Sequence, residues 1–151
     1  MANIPAKVSY EQDVCAWVDR VSSLIREKRF EELNDEDLEH IADEVEDVGK
    51  SEQRELANRM VVLLAHLLKW KYQPLRRGSS WELTIKNQRQ EIKDDLVDTP
   101  SLKTRLSDEE WIRRVWRNAV YEATRETALT DFPNSMPWTF EQALDDTFLP
   151  D

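Results

Sequence analysis

Apolar positions recur along this chain at helical spacing, with no run of alternating or β-branched residues to support a sheet. Tyr10, Val14, Trp17, Val18, Val21, Leu24 and Ile25 form the i, i+4, i+7, i+8 stripe of an amphipathic helix, predicted over residues 10–29. Ser9-Tyr-Glu-Gln12 precedes it with the form of a capping box, in which two side chains satisfy free amides reciprocally. Cys15 lies off the centre of the stripe and is expected to pack at its flank.

The second segment is longer. Asn34 or Asp35 provides a cap, and acidic residues follow in the first turn, where the positive helix end favours them. At 100° per residue, Leu38, Ala42, Val45, Gly49, Leu56, Met60, Leu63 and Leu67 fall within about 40° of one line. The phase does not break at Gly49, so one helix over residues 35–72 is predicted, with a kink at Gly49 as the alternative. Because Gly49 sits on the apolar line, close approach of a neighbouring helix is the expected reason for it. Pro74 and Gly78 end the element.

Three more helices follow. Ser79-Ser-Trp-Glu82 has the capping-box form and opens a segment over residues 81–97 with the thinner stripe Trp81, Ile85, Ile92, Leu96. Ser107-Asp-Glu-Glu110 starts another, whose face is Trp111, Ile112, Val115, Trp116, Ala119, Val120 and Ala123. Thr139-Phe-Glu-Gln142 begins a short last helix ending near Thr147. The expectation is an all-α bundle of about five helices with one long central helix. It forms a single domain over residues 1–151 with a short N-terminal tail at residues 1–8.

Composition narrows the functional classes. The 151 residues carry a net charge of −10, which opposes nucleic-acid coating and adhesion to an anionic membrane. The longest nearly unbroken apolar stretch, residues 60–68, is far short of the roughly 20 residues of a membrane span. The N-terminus MANIPAKVSY has no apolar signal core, and the cytoplasm is the expected compartment. One cysteine and two histidines support neither a disulfide framework nor a zinc finger. Two isolated glycines support no phosphate-cradling loop. No catalytic residue, cofactor or metal is assigned.

Candidate chemistry concentrates in LLAHLLKWKYQP, residues 63–74. His66 falls about 80° off the apolar line, beside Arg59, Trp70 and Gln73. It reads first as a half-buried group bonded to a backbone carbonyl or a neighbouring carboxylate, and second as a ligand contact. Lys69 points away from the line and is expected to be solvated. His40 lies among Glu36, Glu44 and Asp47, and Asp37-x-x-His40 approximates half of a di-metal bundle motif. Leu63 stands where the second half would need a carboxylate, so His40 is expected on an exposed acidic face.

Charge is segregated. Residues 9–55 hold 16 acids and 6 bases, whereas residues 69–93 hold seven bases against Glu82 and Glu91. Trp70, Tyr72 and Trp81 interleave with that basic stretch.

Tyr10…Asp13…Trp17, Glu44…Gly49…Glu52, His66-Leu-Leu-Lys-Trp70…Gln73, Ser80-Trp81…Thr84-Ile85…Arg89 and Pro100 resemble the bacterial family catalogued as domain of unknown function 29. Phe132-Pro133…Met136-Pro137-Trp138 and Phe148-Leu149-Pro150 extend the resemblance over nearly the whole chain. The family commonly has cysteine where Met136 stands and tyrosine where Trp138 stands, so a thiol role at that position does not apply here. The resemblance implies a compact helical cytoplasmic fold and no transferable activity.

Three functional readings remain. The preferred one is a non-enzymatic helical module acting through a protein partner or self-association, with His66, Trp70, Gln73, Arg76, Arg77 and Trp81 as its candidate surface. The second is a small-molecule binder or enzyme with a pocket near His66 and Trp70, including Asp13 of the first helix. The third, nucleic-acid binding by the basic stretch 69–93, is disfavoured by the overall acidity.

Overall fold

The computed structural model describes residues 7–151, so most of the expected N-terminal tail lies outside the described residues. The described chain is all-α: α1 (Val14–Arg26), α2 (Asp35–Tyr72), α3 (Ser79–Asp98), α4 (Glu109–Thr127) and α5 (Phe140–Leu144), with three 3-10 segments between them. No strand occurs among the described residues. The long central helix has the predicted bounds and runs unbroken through Gly49. The chain divides into two compact units, one ending at Ser51 and the other spanning Glu52–Asp151.

In the first unit, Trp17, Val21 and Leu24 of α1 are buried. α1 is shorter than predicted. Asp13, not Ser9, caps it by accepting from the Ala16 amide at 3.1 Å. Ser9 and Gln12 still bond reciprocally, but they close a separate turn ahead of the helix. The far end stops at a Schellman motif, in which Lys28 N–H bonds the Ile25 carbonyl and Arg29 N–H the Leu24 carbonyl. Lys28 takes the left-handed position with φ 59°. Cys15 is exposed rather than packed at a flank.

The second unit holds the larger core. Leu56, Met60, Leu63, Leu64, Leu67 and Leu68 of α2 are fully enclosed by Ile85 and Ile92 of α3, Val115, Trp116 and Ala119 of α4, and Phe140 and Ala143 of α5. Trp116 and Trp138 meet edge to face at 5.8 Å, and the Trp116 indole donates to the Pro133 carbonyl at 2.9 Å. Ion pairs tie the helices at their margins, as Arg59 of α2 reaches Asp95 of α3 at 3.0 Å.

Two further helix starts differ from expectation. α3 begins after Gly78 with no side-chain cap, so Ser79 and Glu82 form no box. α4 is capped one residue later than predicted, by Asp108, which accepts from the Glu110 and Trp111 amides. The Ser107 hydroxyl donates instead to the Thr104 carbonyl. The Thr139–Gln142 box is fully formed, although α5 ends at Leu144 rather than near Thr147.

The long apolar line of α2 has two fates. From Leu56 onward it is core. Before Gly49 it is open: Leu38 is 51% and Val45 67% exposed. A Cβ built on Gly49 would meet nothing within 4 Å, so no close helix approach explains this glycine.

Candidate functional site

The open half of α2 follows from how α1 packs against it. Asn34 and Asp37 form a reciprocal cap at the start of α2, with Asp37 N–H donating to Asn34 Oδ1 at 2.7 Å and Asn34 N–H to Asp37 Oδ2 at 3.2 Å. The other carboxylate oxygen accepts from Arg20 Nη2 at 2.8 Å and the Trp17 indole at 3.0 Å. Arg20 and Asp37 are both buried. Burial alone would raise the Asp37 carboxyl, but hydrogen bonds from Arg20, Trp17 and Asn34 outweigh it and hold the group below the usual aspartate value.

One turn further, the His40 ring stacks on Tyr10 at 4.1 Å and meets Trp17 edge-on. Tyr10 donates its hydroxyl to Glu44 at 2.6 Å, which raises the phenol above its ordinary value. His40 is therefore enclosed by aromatics rather than standing on an open acidic face. Its Nε2 lies 3.1 Å from Glu11 and 3.8 Å from Glu36. Donor atoms of Glu11, Glu36 and His40 all fall within 4.8 Å of one another, a spacing that could hold a cation. Asp37 takes no part in that group, because Arg20 and Trp17 occupy its carboxylate.

Asp37, His40 and Glu44 make up the side of α2 turned to α1 and the preceding Tyr10, roughly 100–160° around the helix from Leu38 at 100° per residue. These contacts are polar and aromatic, beside the buried Val21 and Leu24 of α1. Leu38, Ala42, Val45 and Gly49 are left exposed along the other side. Glu39, Asp43 and Glu46 flank that line at about 80–140°. Val14, Val18 and Ile25 of α1 are exposed in the same unit.

The six residues expected to form one surface all lie in the second unit and differ in exposure. Trp70 is only 8% exposed and packs in the core. Arg77 donates to the Trp70 carbonyl at 2.7 Å and lies over its ring at 5.2 Å. Trp81 is half-buried beneath Lys69, whose ammonium sits 5.3 Å from the ring. Gln73 is half-buried, and Arg76 alone of the six is fully exposed.

His66 is half-buried, as expected, and its Nδ1 lies 2.8 Å from the Val62 carbonyl. That acceptor requires the proton on Nδ1, leaving Nε2 as a lone pair. Burial lowers the imidazole below its ordinary value, and nearby Lys69 adds to the effect against the Val62 bond and Glu126. Lys69 is not solvated: it is 6% exposed, 3.4 Å from His66 Nε2 and paired with Glu126 of α4. The shallow pocket beside His66 is lined by α2 and α4, including Asn58, Glu122 and Glu126, and not by Trp70. Asp13 is engaged in capping α1.

Most of the basic stretch also turns inward. Lys69 pairs with Glu126, Arg77 with the Trp70 and Pro150 carbonyls, Arg89 with the Ala143 and Phe148 carbonyls, and Lys93 with Asp146. Its charges hold this fold's own helices and C-terminal segment together.

Residues 9–149 match the family described as Domain of unknown function DUF29. The chain belongs to that family. Neither a curated protein nor a solved structure matches it. No helix among the described residues is long and apolar enough to cross a membrane.

Sequence reading overlooked the two buried arginines in this DUF29 chain, although both leave a trace. Arg20 sits three residues after Trp17 and four before Leu24, and Arg89 sits four after Ile85 and three before Ile92. A cation on the apolar stripe of a helix marks a buried partner, here Asp37 for the first and main-chain carbonyls for the second.

Proposed function

We propose that this chain is a protein-interaction module whose docking face is the exposed line Leu38, Ala42 and Val45 of α2, and that it receives a basic amphipathic helix. The observation that carries this reading is the change of fate along one apolar line: enclosed after Leu56, open before Gly49. An unpartnered apolar helix face is where a partner helix lays its own apolar stripe. Ala42 and Gly49 let a partner backbone come close. Acidic residues Glu39, Asp43 and Glu46 along the margin favour lysine and arginine opposite them and oppose a second copy of this acidic chain.

A synthetic helical peptide of leucine and lysine in heptad spacing tests the proposal by fluorescence anisotropy. Saturable binding should weaken at least about tenfold on Leu38→Asp/Val45→Asp, both exposed positions, and fall as salt is raised. An unchanged affinity in the double variant would refute the face. A dimer seen by sedimentation and abolished by the same variant would replace the basic partner with a second copy.

A further inference from the structure

We propose that the groove along α3 over Arg89 is a binding site for a small amphipathic monocarboxylate. Arg89 is 2% exposed. Its Nε donates to the Ala143 carbonyl at 2.7 Å and its Nη2 to the Phe148 carbonyl at 2.6 Å, which accounts for two of the five guanidinium N–H donors. Among the described residues, no carboxylate lies within ion-pair distance of it. The two nearest acids are committed elsewhere. Asp145 accepts from the Thr147 amide and hydroxyl, each at 2.8 Å, and Asp146 pairs with Lys93 at 2.9 Å. Buried charges are ordinarily paired, so a guanidinium hydrogen-bonded to main-chain carbonyls, with Asp145 and Asp146 near it but bonded elsewhere, invites an anion.

The surroundings specify the rest of the ligand. Arg89 lines a groove of about 700 Å³, within the size range of small-molecule sites. Lys86, one turn away, adds a second cation, while Leu83, Ile85 and Leu149 supply apolar walls. Leu83 and Leu149 are exposed, so an apolar tail laid between them would cover surface now facing water. Glu82 and Asp146 also line the groove, which disfavours a dianion such as phosphate and favours a single negative charge.

The test titrates the full chain with octanoate, octanol, octylamine and inorganic phosphate, following backbone amide NMR shifts. Octanoate should bind saturably, with shifts at residues 82–90 and 146–149. Phosphate, octanol and octylamine should bind at least about tenfold more weakly. Lys86→Glu and Leu83→Asp, both at exposed positions, should each weaken octanoate at least about fivefold with the far-UV helix signal unchanged. Leu38→Asp/Val45→Asp should leave octanoate binding unchanged, which separates this site from the helix-docking face. Equal binding of octanol would overturn the role of the cations, and equal binding of phosphate the role of the apolar walls. Octanoate shifts confined elsewhere, or none at up to about 10 mM ligand, would overturn the site itself.

Discussion

At the scale of single residues, the fold relies on groups that composition alone would place at the surface. Asp37 joins α1 to α2 by accepting from Arg20, Trp17 and the Asn34 amide. Removing one member of a buried pair leaves the other charge unpaired, so Asp37→Ala should destabilise the first unit by about 3–5 kcal/mol. Amide hydrogen exchange across α1 measures this directly. A loss under about 1 kcal/mol would mean that water already screens the pair. The depressed Asp37 carboxyl contributes stability that is present above the unfolded aspartate value and lost as pH falls through its lower folded value. Two other residues were illegible for want of glycine: Lys28 and Ala128 hold left-handed conformations, at φ 59° and 62°, where a glycine would have announced a helix end. Ala128→Gly should therefore raise thermal stability by about 0.5–1 kcal/mol, the relief of left-handed strain partly offset by unfolded-state entropy. No change, or a loss, would contradict the assigned backbone.

At the scale of elements, α2 was the most legible part of the chain, since an unbroken apolar phase from Leu38 to Leu67 joins a cap at Asn34 or Asp35 to the stop at Pro74 and Gly78. What phase could not show is which stretch of the line would be covered. The same heptad-like spacing precedes Gly49 and follows Leu56, and only the placement of Tyr10 and α1 on the Asp37–His40–Glu44 side reveals that the first stretch stays open. Glycine was misread for the same reason: position on the apolar line suggested close packing, yet nothing approaches Gly49. Gly49→Ala should stabilise α2 by up to about 1 kcal/mol through helix propensity alone. Destabilisation would reveal a contact at that position. Leu56→Ala, on the covered stretch, should cost about 2–5 kcal/mol by chemical denaturation. The mixed burial of the 66–81 residues has a similar cause. A tryptophan or arginine near a helix end reads equally well as a hot spot or as core, and Trp70 and Arg77 proved to be partners of each other.

At the scale of the whole molecule, charge sets the response to pH. His66 is lowered in the folded state mainly by burial, with Lys69 adding to the effect, so the unfolded chain binds that proton more readily. Stability from this group is complete above the ordinary histidine value near 6.5 and is lost as pH falls below it toward the folded value. His66→Gln should flatten the loss of stability as pH falls below about 6.5, where the wild-type protein should weaken. An identical profile in the variant would place the acid sensitivity elsewhere. The net charge of −10 is concentrated in residues 9–55, around the open face of α2. That coincidence of apolar line and acidic margin is the basis for proposing a basic helical partner for the first unit. The decisive measurement is amide hydrogen exchange with and without the leucine–lysine peptide. Slowed exchange centred on residues 38–49, absent in Leu38→Asp/Val45→Asp, is the predicted result. Protection elsewhere, with residues 38–49 unchanged, would contradict it.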